Sequence, residues 1–271
     1  VPRVVTEGPS CAEAWRAASA AAALRLCGPA LLTELHTAAL AERSIVLVGA
    51  DTLSLVAIAD TVSASISPLV WEGGYLPVVP DALADMLGAP VPSIFGLCAP
   101  EEEQPAVVAR IAREYAHLVC ARVPPAVGAD ADAAAALAFR PTPPLSPPPP
   151  SLRRPLMRAL GAAAAEVSAG VSDDVSAGIS AEIGAEWYAD TTAVAMGAGV
   201  LLAFAEATAP LCRALEALAD RHVAGGDHVA PPLLDAAAFA RYCAGALSAG
   251  RGARRWCAEV GAAQPAVSSS A

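Results

Sequence analysis

Short apolar runs rich in β-branched residues alternate with helical-period stretches along the first half of the chain, and the second half is helical in pattern almost throughout. Residues 12–41 favour helix, broken near Cys27-Gly28-Pro29 because proline is excluded from a helix interior. The run Ser44-Ile45-Val46-Leu47-Val48-Gly49 has the length and composition of a buried parallel strand. Asp51 or Thr52 can then cap a helix reaching about Ser67, with Leu55, Ile58, Ala59, Val62 and Ile66 at three-to-four spacing. Residues 104–116 form an amphipathic helix with Val107, Val108, Ile111 and Tyr115 on one side, and residues 117–123 return to a strand pattern. This alternation predicts an α/β fold, a layered sandwich with a mostly parallel central sheet, followed by an all-helical segment. Helices are predicted within 152–186 and at 191–221 and 233–247. Within 152–186 an eight-residue echo places Val167, Val171, Val175, Ile179 and Ile183 at four-residue steps.

The segment 69–95 departs from both periods. Pro77, Pro80, Pro90 and Pro92, with Pro68 just before them, punctuate an apolar run that also holds Trp71 and Tyr75. Each proline fixes φ and removes a backbone donor, and the preceding residue is pushed toward extended geometry. Two extended passes follow, with a short helix at 81–87 between them. Proline of this density argues against a central strand here. Trp71 and Tyr75 are expected to be buried, anchoring these passes against the helix from Thr52, and Glu72-Gly73-Gly74 is read as a small, flexible loop. A second proline-dense stretch, 140–151, reads as an exposed, non-helical spacer. The domain boundaries that result are 12–139 for the α/β part, 140–151 for the linker and 152–262 for the helical part.

Composition narrows the function. Hydrophobic residues are 55% of the 271 and charged residues 16%, enough for a sizeable core. Lysine and asparagine are absent, so the alanine, glycine and proline excess reads as coding bias. A net charge of −10, with basic clusters only at Arg153-Arg154 and at Arg251, Arg254 and Arg255, argues against a nucleic-acid partner. Seven scattered cysteines without a C-x-x-C pair fit reduced thiols. The least charged stretches, 45–71 and 191–205, do not reach eighteen uninterrupted apolar residues, so no membrane span is expected.

Reactive constellations are missing. There is no G-x-S-x-G elbow, no phosphate-binding glycine loop with its lysine, and no H-E-x-x-H. His222 and His228, with Asp220 and Asp227, straddle a Gly-Gly break and read as a solvated loop rather than a metal site. Ser93 has no histidine within sequence reach to activate it. Cys98 and Cys120 read as inert buried thiols at strand ends, and Glu101, Glu102 and Glu103 as a solvated helix start. No catalytic residue, metal or cofactor is expected.

The sequence Pro68, Leu69, Trp71, Tyr75, Leu76, Pro77, Val78, Val79, Pro80, Leu83, Asp85, Ala89, Pro90, Pro92, Ile94 and Gly96 resembles the signature of the central DENN domain. Residues 40–48 and 118–123 resemble that domain's flanking strands. The resemblance is close over 31–123 and looser over 150–260. It implies a guanine-nucleotide exchange factor, or its C-terminal lobe, for a Rab-type small GTPase in membrane trafficking. The expected partner is the GDP-bound or nucleotide-free GTPase. The implied protein is cytoplasmic, recruited peripherally to vesicle membranes through that GTPase. The resemblance also implies an upstream lobe preceding Val1, without which exchange would be weak. Glu72, Gly73, Gly74 and Tyr75 are the expected partner-contacting residues. Trp71, Pro77, Pro80, Pro90, Pro92 and Gly96 are the structural signature. The alternative function is a DENN-fold scaffold in a trafficking or signalling complex that catalyses no exchange.

Overall fold

A computed structural model describes residues 11–67, 69–123, 136–145, 147–148, 150–170 and 191–224. Helix α1, Cys11–Leu40, is kinked at Gly28, whose φ of 66° and ψ of 169° interrupt the helical geometry just before Pro29. Glycine takes this left-handed φ without a Cβ clash, and Pro29 needs no donor at a kink, so the predicted break is realised. Strand β1 (Ile45–Gly49) follows, then α2 (Thr52–Ser65). Asp51 caps α2 by accepting hydrogen bonds from the backbone N–H of Leu53 (3.3 Å) and Ser54 (2.8 Å).

The proline-rich segment contributes β2 (Gly74–Leu76), a 3-10 helix (Asp81–Gly88) and β3 (Ser93–Cys98). Helix α3 (Gln104–Glu114), β4 (Val119–Arg122) and the two-residue β5 (Ala136–Leu137) complete the sheet. Its order is β2-β3-β1-β4-β5. The first four strands are parallel and β5 pairs antiparallel with β4. The fold is therefore α/β, layered on a mostly parallel sheet, with helices following.

Against the sequence-based expectation, β3 is an interior strand. It lies between β2 and β1, pairing Ile94 with Ile45 and Phe95 with Val46. The prolines do not obstruct it because they stand outside the ladders. Pro77 follows the last residue of β2, while Pro90 and Pro92 precede the first of β3. All five residues of β1 are buried, and alternate side chains serve opposite faces. Ile45 and Leu47 join Ile94, Val119 and Ala121 under α1 and α2, whereas Val46 and Val48 join Phe95, Leu97, Cys120 and Ile111 under α3 and the 3-10 helix.

Residues 140–145 and 147–148 are non-helical, but the stretch is not a free spacer. Pro141 is buried, the Thr142 N–H donates to the Ala116 carbonyl at 2.7 Å, and the buried Arg43 guanidinium donates to the carbonyls of Pro143 (3.1 Å) and His117 (2.7 Å). Helix α4 begins at Pro150 and reaches Gly170, so Pro150 and Ser151, expected in the linker, open a helix. Proline is favourable in a first turn, where its missing N–H would have had no intrahelical partner. Helix α5, Thr191–Ala224, follows.

Leu152, Leu156 and Leu160 of α4 and Val200, Ala203, Phe204 and Ala207 of α5 enter the same cluster as the apolar residues of α1 and α2. Ala17, Ala18 and Ala20 to Ala23 of α1 are all buried. A Cβ on Gly197 of α5 would fall 1.5 Å from the Ala17 carbonyl oxygen, so the two backbones touch. Whatever their coding origin, these small residues set the spacing of the helical layer. Within α5, Thr192–Ala209 is long and apolar enough to cross a membrane by length and composition, a window the sequence reading stopped short of at Glu206. Its buried positions pack on α1 and α4. The stripe from Val167 to Ile183, the helix at 233–247, and His228 lie outside the residues whose placement is described, Val167 by its side chain.

Candidate functional site at the sheet edge

Strand β2 is the outer strand of the parallel end of the sheet, pairing only with β3. The chain enters it through Leu69 and Val70, both exposed, Val70 at 80%. Trp71 is half-buried against the cluster under α1 and α2, and its indole Nε1–H donates to the Gly74 carbonyl at 3.1 Å. The ring thus closes over the three residues that follow it. Glu72 stands in solvent.

Gly73 and Gly74 are held in place rather than flexible. A Cβ on Gly73 would lie 2.2 Å from the Pro92 carbonyl oxygen and 2.8 Å from the Trp71 ring, and one on Gly74 would lie 2.5 Å from the Ser93 hydroxyl. The Gly74 N–H donates to the Pro92 carbonyl at 2.8 Å. Both glycines are therefore spacers that let β2 approach the start of β3. This corrects the reading of Glu72-Gly73-Gly74 as a flexible loop.

Tyr75 is also corrected. It is 39% exposed rather than buried, because it sits on the outer strand with its ring directed along the surface of α2. Its hydroxyl donates to Asp60 Oδ1, and Asp60 Oδ2 accepts the indole N–H of Trp15 from α1. One carboxylate thus ties α1, α2 and β2 together. Desolvation, and then the hydrogen bond and charge of Asp60, push the Tyr75 hydroxyl well above the usual phenol range, so it stays a donor. The expected anchoring of the segment to α2 is realised through this polar contact. Sequence reasoning missed Asp60 and Trp15, although Asp60 left a signal as the one charged residue of α2.

The remaining signature residues shape the backbone. The Pro77 carbonyl lies where a Cβ on Gly96 would be, at 1.9 Å, and the Val79 N–H donates to the Gly96 carbonyl at 2.7 Å. Pro80 precedes the 3-10 helix in extended geometry, and its carbonyl accepts from the Leu83 N–H at 2.8 Å. Pro90 is exposed and Pro92 half-buried, its carbonyl taken by Gly74. The 3-10 helix and the loop after it leave Leu83, Met86 and Val91 exposed.

The other chemical candidates are not brought together. Ser93 is buried with its hydroxyl donating to the Val91 carbonyl at 3.1 Å. Cys120 is buried as expected, which pushes its thiol up to about 12, but Cys98 is exposed rather than buried, because it is the last residue of β3, at the opposite end from Ser93. Glu101, Glu102 and Glu103 are solvated ahead of α3, and Glu103 caps it without a side-chain hydrogen bond. Among the described residues no group of histidine, cysteine, aspartate and glutamate is placed to hold a metal ion.

The family model of the DENN (AEX-3) domain matches residues 4–114. This part of the chain is a DENN domain segment. The match takes in α1 to α3 together with the whole β2 edge, Trp15 and Asp60. It ends at the last residue of α3, so β4, β5, α4 and α5 lie beyond it. DENN proteins as a class are associated with Rab GTPases. In this DENN segment the prolines and glycines of 73–96 position a short outer strand that carries exposed apolar side chains at its entry.

Proposed function

We propose that this DENN segment serves a guanine-nucleotide exchange factor for a Rab-type small GTPase, with residues 69–76 contributing to the GTPase contact. The observation that supports this reading most is that the DENN match of 4–114 contains an outer strand whose approach, Leu69-Val70, is exposed and apolar. Glu72 and Tyr75 add a carboxylate and an aromatic ring to the same edge, the mixture of apolar area and directional polar groups that protein contacts use. Exchange requires no covalent step. A surface that binds the nucleotide-free GTPase more tightly than the GDP form speeds GDP loss by that difference in affinity. Such a protein acts from the cytoplasm and reaches vesicle membranes through its GTPase.

Fluorescent-GDP release across a panel of Rab GTPases tests the reading, alongside capture of their nucleotide-free and GDP-bound forms. The expected result is preferential capture of at least one nucleotide-free Rab and faster GDP release from it. Equal capture of both forms, without faster release, would favour a DENN-fold scaffold. The exposed apolar approach to β2 would suit that role equally well.

A further inference from the structure

We infer that Asp60 is a positioning residue for the β2 edge, acting as a latch that holds the contacting strand in its binding geometry through Tyr75 and Trp15. The inference rests on the GTPase reading for its functional consequence, but the latch itself is a property of this chain.

The two oxygens of the carboxylate are used separately, Oδ1 by the Tyr75 hydroxyl and Oδ2 by the Trp15 indole. One donor comes from α1 and the other from β2, so a single carboxylate joins both elements to α2. Hydrogen bonds to a charged acceptor are the stronger kind, and two of them converge here. Strand β2 has few other holds. It is three residues long and hydrogen-bonded on one side only, and Tyr75 is its central residue. Trp71, closing onto Gly74, fixes the loop to itself, while Tyr75 alone among these residues fixes the edge to α2 by hydrogen bond. Asp60 is half-buried and the one charged residue of α2, and a carboxylate taken partly out of water is unfavourable unless hydrogen-bonded, as it is by these two donors. Removing either donor or the charge should leave the fold, built on the large cluster beneath α1, and loosen the edge.

The experiment compares the full chain with Asp60→Ala, Tyr75→Phe and the double variant. Alanine removes both acceptor oxygens, so neither ring keeps its partner on α2. Hydrogen exchange at the amides of Gly74 and Leu76, which face β3, should quicken about tenfold in each single variant, with exchange in β1 unchanged. The double variant should add little, because both changes break the same contact. In the Asp60 variant, whose side chain lies outside the proposed contact, affinity for a nucleotide-free Rab that the full chain captures should fall by a similar factor. Wild-type protection at Gly74 and Leu76 in both single variants would overturn the latch, as would additive effects in the double variant. If the parent chain captures no Rab, the exchange measurements still decide the latch, and only the GTPase reading is lost.

Discussion

Gly96 lies in β3 where the chain passes closest to the Pro77 carbonyl, and no side chain fits there. Gly96→Ala should lower stability by roughly 1–3 kcal/mol, the usual range for forcing an extra methyl group into a packed site. Gly161 on the exposed side of α4 has nothing within 4 Å of a built Cβ, so Gly161→Ala should instead raise stability by about 0.5–1 kcal/mol. Denaturant midpoints of the two variants check both signs. The contrast explains why Gly73 and Gly74 were misread. A glycine in a sequence shows a missing side chain, and only the neighbours that occupy the space, here the Pro92 carbonyl and the Ser93 hydroxyl, show whether the gap is freedom or fit.

At the scale of elements, α2 was legible from both ends of its pattern. Its apolar spacing gave the buried face and Asp51 gave the start, which the structure confirms with bonds to Leu53 and Ser54. Asp51→Ala should lower stability by about 1 kcal/mol, as loss of a helix cap does, and Asp51→Asn by less; thermal melts of the two variants measure it. The short helix between the extended passes was legible too, though it is 3-10 rather than α. The interior place of β3 was not. Proline density is a property of the segment, whereas the ladder needs free donors only over Ser93–Cys98, which contains no proline. Strand β5, two residues long, carries no period at all.

Across the whole molecule, the helices after the proline-dense stretch return to α1 and close its cluster. His36 marks the place. It is buried on α1, with Nδ1 3.2 Å from the Ser65 hydroxyl of α2, its ring 5.0 Å from that of Phe204 on α5, and no hydrogen-bond partner for Nε2 among the described residues. Burial holds its pKa down at about 4, from 6.5. A histidine whose folded pKa is lowered contributes stability that is complete above pH 6.5 and is lost as pH falls toward 4, since the unfolded chain takes the proton first. The loss should reach roughly 3 kcal/mol at most, by the conversion of 1.36 kcal/mol per pKa unit. Urea midpoints of wild type and His36→Leu from pH 7 to 4 check it. The gap between the curves should shift against the wild type across that window, and parallel curves would refute the assignment.

What the sequence determined by itself was local. The helix break at Gly28-Pro29, the cap at Asp51, the short apolar runs of β1 and β4, and the proline signature of the DENN segment all follow from backbone chemistry over a few residues. Tertiary structure alone decided which surfaces meet. It put β3 inside the sheet, left Tyr75 on its edge, joined Trp15 and Tyr75 on one carboxylate, and brought α5 against α1 at Gly197 and Ala17. Periodicity and propensity record the environment each residue prefers. Contacts between residues 45 or 180 positions apart depend on chain paths that no local preference encodes.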